Sequence, residues 1–103
     1  FILQDILKKD VLVYVSVITE LELLSLSKLG KQELDGINIL LKTVIIIPLD
    51  SQLARVAASL RSNYKLKTPD SIIAATAIIT RSSLVTRNIK DFKRVASLTL
   101  VDV

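Results

Sequence analysis

Three acidic residues stand out by type and position: Glu22, Asp70 and Asp91. The chain contains no His and no Cys. Imidazole ligands, thiolate ligands and the commonest general base are therefore excluded. Carboxylates left to act without those partners point to a hard, oxygen-ligated cation, Mg²⁺ or Mn²⁺. Such an ion activates water and neutralises charge developing on a phosphate during an in-line displacement. In a two-ion site the metals stand about 3.5–4 Å apart and must share several carboxylates. Each acid also has a local explanation. Asp70 could be a charge at a helix start, Asp91 a capping residue and Glu22 a solvated helix residue. The signal lies in the three together. Glu20 competes with Glu22 from two positions round the helix, while Glu33, Asp35, Asp50 and Asp102 read as surface or cap residues.

The elements that must position these acids alternate. Thr68 to Ala77 reads as a helix with Thr68 as N-cap and Pro69 at its first helical position. Beyond Asp70 this helix is apolar on nearly every side, so it must be buried on nearly every side. Asp70 falls in its first turn, where free N–H groups favour a negative charge. Val11 to Val15 is rich in β-branched residues and predicts a buried strand. Ser16 then caps a helix to about Ser25, with Ile18, Leu21 and Leu24 at helical spacing. Glu22 lies one turn from Ile18 on this otherwise apolar face and is expected to point inward.

Gly30 marks a break before a helix from Lys31 to about Leu41, weakened by Gly36. Val44 to Ile47 is a second strand, stopped by Pro48. Asp50 or Ser51 caps a helix through about Asn63, with Leu53, Val56, Ala57 and Leu60 on one face. Leu84 to Thr86 is a third strand, Asp91-Phe92 opens a short turn or helix, and Thr99 to Val101 is a last strand. Phe1 to Lys9 looks like the end of a helix. Apolar strands separated by helices imply a parallel sheet covered on both faces. Ligands in such folds sit beyond the carboxyl ends of the strands. Ser16 follows one such end; Thr86, Asn88 and Asp91 follow another.

The totals narrow the class. The 103 residues fit one domain, 1–103, and half of them are hydrophobic, which argues against disorder. The most apolar run, Ile37 to Leu49, is interrupted by Lys42 and too short to span a bilayer. A cytoplasmic protein beginning upstream of Phe1 is the simplest expectation. The net charge of +4 is uneven: residues 1–51 carry −2 and residues 52–103 carry +6. The basic half is either a solvated surface or a contact for nucleic-acid phosphate. Four aromatic residues, Phe1, Tyr14, Tyr64 and Phe92, are too few for base stacking to dominate recognition.

Three segments together resemble the PIN-domain ribonucleases, in particular the VapC-type toxins of toxin–antitoxin pairs. They are Ser16-Val17-Ile18-Thr19-Glu20-Leu21-Glu22-Leu23, Thr68-Pro69-Asp70-Ser71-Ile72-Ile73-Ala74-Ala75-Thr76-Ala77, and Leu84-Val85-Thr86-Arg87-Asn88-Ile89-Lys90-Asp91-Phe92. The resemblance runs from about Val11 to the end. It implies a three-layer α/β/α fold with a mostly parallel sheet. It also implies a metal-dependent endoribonuclease, with Glu22, Asp70 and Asp91 as catalytic ligands of Mg²⁺ or Mn²⁺ and Thr86 and Asn88 as polar supports. Arg87 and Lys90, beside these groups, are candidate substrate contacts. The partners implied are RNA, a cognate antitoxin and a second copy of the chain; no membrane is expected.

One departure matters. Family members resembling this chain begin with a central strand that ends in an Asp, and no such segment is present. Asp5 and Asp10 lie in a helix end and a turn. Without that strand, the first and third strands each present an unpaired edge inside the core, at roughly 1–3 kcal/mol for each buried group left unpaired. The strand is expected to come from upstream residues, and a rearranged or swapped sheet is the alternative. This stretch alone is expected to lack one metal ligand and to cleave RNA weakly or not at all. The alternative function is a non-catalytic RNA-binding or protein-interaction module on the same scaffold.

Overall fold

A computed structural model describes residues 11–103. The helix end expected over residues 1–9, with Asp5 and Asp10, lies outside the described residues. Strand β1 (Tyr14–Ser16) pairs in parallel with β2 (Ile45–Ile47), with Tyr14 opposite Ile45 and Ser16 opposite Ile47. The bond from Ile45 N to Val13 O extends this ladder by one residue. β1 is shorter than the expected Val11–Val15, and Val11 and Leu12 remain exposed. The chain enters helix α1 (Val17–Leu24) directly from β1. Ser16 makes the transition by accepting the Ile18 N–H on its Oγ at 3.1 Å, the expected cap.

Helix α2 (Lys31–Lys42) carries Gly36 in its interior, and β2 follows. Asp50 caps α3 (Ser51–Tyr64) by accepting the Leu53 N–H at 2.8 Å. The expected face of α3 is the covered one: Leu53, Ala57 and Leu60 are buried and Val56 packs against them. Helix α4 (Thr68–Ile79) follows. Its N-cap is Lys67, not Thr68, because the first helical bond runs from Ser71 N to Lys67 O. Thr68 is already helical, and its Oγ1 accepts from Arg61 Nε at 3.1 Å instead of capping α4.

Strands β3 (Leu84–Thr86) and β4 (Leu100–Asp102) form a second parallel pair, with Leu84 opposite Leu100 and Thr86 opposite Asp102. Helix α5 (Ile89–Phe92) lies between them in the chain. β4 is displaced one residue from its expected position. Among the described residues the four strands form two separate pairs, and no ladder joins β1 to β3.

The core forms where α3 meets α4, the most extensive contact between elements. Ile72, Ala74, Ala75, Thr76 and Ala77 are all buried in α4, as its composition requires. The Thr76 hydroxyl avoids an unpaired state by donating to Ile72 O at 2.8 Å. Phe92 and Val95 close the far side. Cover is thinner over the first sheet: Ile45 in β2, Leu21 and Leu24 in α1, and Ile39 in α2 are exposed. An open surface groove of about 410 Å³ is lined by Val11, Val13, Gly36, Ile39, Leu40 and Thr43. No described helix is long and apolar enough to cross a membrane.

Candidate functional site

The best-defined part of the site is the turn after β3. Thr86 ends that strand and accepts the Asn88 N–H on its Oγ1 at 3.0 Å. Asn88 is the N-cap of α5, yet its side chain does not cap the helix. Its Nδ2 donates to Asp91 Oδ2 at 2.8 Å. Asp91 Oδ1 lies 3.6 Å from Arg94 Nη2. One carboxylate is thus held on both oxygens, and the polar chain from Thr86 through Asn88 fixes its direction. Phe92, buried next to Asp91, anchors the short helix that carries it. Arg87 and Lys90 flank this chain, both exposed.

Asp70 lies in the first turn of α4, half-buried, on the most deeply packed helix of the fold. The helix beneath it is fixed by its core contacts, and Ser71 Oγ donates to Thr68 O at 2.7 Å beside it. Asp70 is therefore a charge on a rigid support at a positive helix end. Glu22 differs from expectation. It is exposed and does not point inward. The reason is cover: Ile18, in the first turn of α1, packs against the core, whereas Leu21 and Leu24 further along stand in solvent. Glu20, the weaker candidate by sequence, is half-buried. Helix α1 and strand β1 both pack on α4, so Glu22 and Asp70 are carried by contacting elements.

Among the described residues, no three acidic side chains stand close enough together to hold a metal ion. The donors present fit a hard divalent ion in type, all being oxygens, but fall short of it in number. The structure adds two residues to the neighbourhood of the site. Arg94 pairs with Asp91, and Asp102 stands in register with Thr86 at the carboxyl end of the second strand pair. The three-residue spacing of Asp91 and Arg94 is a legible helical pair; the register of Asp102 is not.

The PIN-domain family matches residues 2–98 of the chain. The chain belongs to the PIN-domain family. This PIN domain is also similar to solved structures. One is a toxin–antitoxin complex from Klebsiella pneumoniae, at 36% identity, with 85% of this chain and 71% of that chain covered and a TM-score of 0.73. A second is VapBC2 from Rickettsia felis bound to a DNA fragment from their promoter, at 30% identity, with 97% and 81% covered and a TM-score of 0.81. A third is FitAcB from Neisseria gonorrhoeae, at 28% identity, with 85% and 73% covered and a TM-score of 0.66. No curated protein matches the chain. The α/β architecture expected from the strand and helix pattern is thus the PIN fold.

Proposed function

We propose that this PIN domain is a divalent-metal-dependent endoribonuclease of the VapC toxin type, acting in the cytoplasm as one domain and hydrolysing RNA phosphodiesters. In this reading Asp70, Asp91 and Glu22, which do not stand together among the described residues, would hold Mg²⁺ or Mn²⁺ only with further oxygen donors, and the ion would activate a water and neutralise charge on the phosphate. Thr86 and Asn88 keep the Asp91 carboxylate in one orientation. Arg87 and Lys90 meet the substrate. The observation that carries the reading is the hydrogen-bonded chain from Thr86 through Asn88 to Asp91, at the end of a strand within a PIN fold. A carboxylate held on such a scaffold is organised before any ligand arrives, which lowers the cost of using it.

The partners are inferred from the same likeness. A cognate antitoxin inhibits the enzyme, and a second copy forms a homodimer. Support comes from the toxin–antitoxin complexes among the similar structures, and from the thinly covered apolar side chains of α1 and α2.

The test is cleavage of RNA by the chain, and by a version lengthened at its amino end, with Mg²⁺ or Mn²⁺ added. Cleavage that disappears in Asp70→Asn, with circular dichroism unchanged, supports the enzyme. Equal cleavage by Asp70→Asn removes it. A second reading, a non-catalytic RNA-binding or interaction module, is favoured by the incomplete acid set among the described residues. It predicts RNA binding with no cleavage in either form.

A further inference from the structure

The basic residues of the second half of the chain are not spread evenly. Residues 52–103 contain nine Lys and Arg. Arg61, Lys65 and Lys67 lie in one short window, at the end of α3 and the start of α4. Arg87, Lys90, Lys93 and Arg94 lie in another, around α5. All seven are exposed. Each window sits beside one candidate acid: Asp70 follows Lys67 by three residues, and Asp91 lies within the second window.

The fold joins the windows. Arg94 Nη1 donates to Tyr64 O at 3.4 Å, across thirty residues of chain. The same guanidinium reaches Asp91 through Nη2. At the other side of the corner, Arg61 Nε holds Thr68 Oγ1, which ties α3 to the first residue of α4. Two guanidinium groups are therefore held in place before any ligand binds. That reduces the side-chain ordering that binding would otherwise require. Lys65, the C-cap of α3, follows Tyr64 with φ of 55° in the left-handed region where glycine would be unstrained.

Among the described residues, stacking groups are scarce at this corner. Phe92 is buried, and Tyr64 packs against the core. Recognition here rests on charge.

We infer that the α3–α4 corner and the α5 segment together form a phosphate track that guides the backbone of single-stranded RNA toward Asp70 and Asp91. Among the described residues Lys65, Lys67, Arg87, Lys90 and Lys93 carry no side-chain partner, and Lys65 and Lys67 are the cations it places at the corner itself. The track reads phosphate and not base, so it sets affinity and path but not sequence preference. This inference rests on the RNA-cleaving reading for the identity of its polymer.

Two variants matched in every other respect test it. Lys65→Gly and Arg81→Gly each remove one positive charge, and each relieves a left-handed residue, since Arg81 has φ of 54°. Arg81 lies beyond the C-terminal end of α4, whereas Lys67 is its N-cap. The readout is fluorescence anisotropy of a labelled single-stranded oligoribonucleotide, with EDTA present, between about 50 and 200 mM salt. Lys65→Gly is expected to reduce the slope of log affinity against log salt by about 0.7, and Lys65→Gly with Lys67→Ala by about 1.4. Over that salt range Lys65→Gly would then lose about two- to threefold less affinity than the parent chain. Arg81→Gly is expected to leave the slope unchanged. An equal effect from Arg81→Gly, or no effect from Lys65→Gly, overturns the track. Binding with the expected slopes but without metal-dependent cleavage removes the nuclease reading and leaves the track standing. Cleavage lost in Asp70→Asn, with the Lys65→Gly slope unchanged, does the reverse.

Discussion

Asn88 and Asp91 are joined side chain to side chain, amide to carboxylate, at 2.8 Å across one turn of α5. Both residues are accessible, so the bond contributes little to stability, on the order of 1 kcal/mol. Its effect is on direction. With Thr86 holding the Asn88 backbone, the Asp91 carboxylate has a defined orientation. Asn88→Ala should lower metal-dependent cleavage by about 10- to 100-fold, the usual consequence of losing the partner of a ligating group. A thermal melt should move little. Full activity in Asn88→Ala would show that the Asp91 orientation is irrelevant.

Chelation should separate chemistry from folding. The core of Leu53, Ala57, Ile72, Ala74 and Ala75 contains no acid. EDTA should therefore stop cleavage while far-ultraviolet circular dichroism stays the same. Restored Mg²⁺ or Mn²⁺ should return the activity. Unfolding on EDTA treatment would instead make the ion structural.

Leu53 is 2% exposed where α3 packs into the core. Leu53→Ala should destabilise the fold by about 2–5 kcal/mol, combining lost burial with the cavity left behind. Chemical denaturation measures it directly. A loss below about 1 kcal/mol would mean the region collapses around the gap.

Gly36 sits in mid-helix, and a β-carbon added there meets no atom within 4 Å. Gly36→Ala should stabilise the domain by about 0.4–1 kcal/mol, because the unfolded chain loses freedom that the helix never used. A lower melting temperature would indicate that the α2 surface needs a bare backbone at that point.

Local features are legible in the sequence. Ser16 and Asp50 cap their helices as their types predict, because a cap depends on residues two or three positions away. The burial of α4 is legible from Ile72 to Ala77, since a helix with no polar stripe has no side to offer water. Glu22 departs from its expected direction for the opposite reason. Its spacing from Ile18 is local, but its exposure depends on what lies over the second turn of α1. The N-cap of α4 differs by one residue because the first helical bond closes on Lys67 O, and Thr68 Oγ1 accepts from Arg61 instead. The contact of Arg94 with Tyr64 is out of reach of the sequence, because no spacing rule links residues thirty apart. Of the candidate site, the Thr86–Asn88–Asp91 turn is local and legible as a set of polar supports. The relation of that turn to Asp70 and Glu22 is tertiary and is not.

The α3–α4 pair joins neighbours in the chain, whereas each strand pair is three residues long and closes over a long connection. Protection against amide hydrogen exchange should follow that division. The slowest protons should be those of Ile72 to Ala77, which open only with the whole molecule, while β1 and β2 exchange through smaller, partial openings. The domain would then keep its helical centre intact while the β1–β2 pair opens and closes on its own.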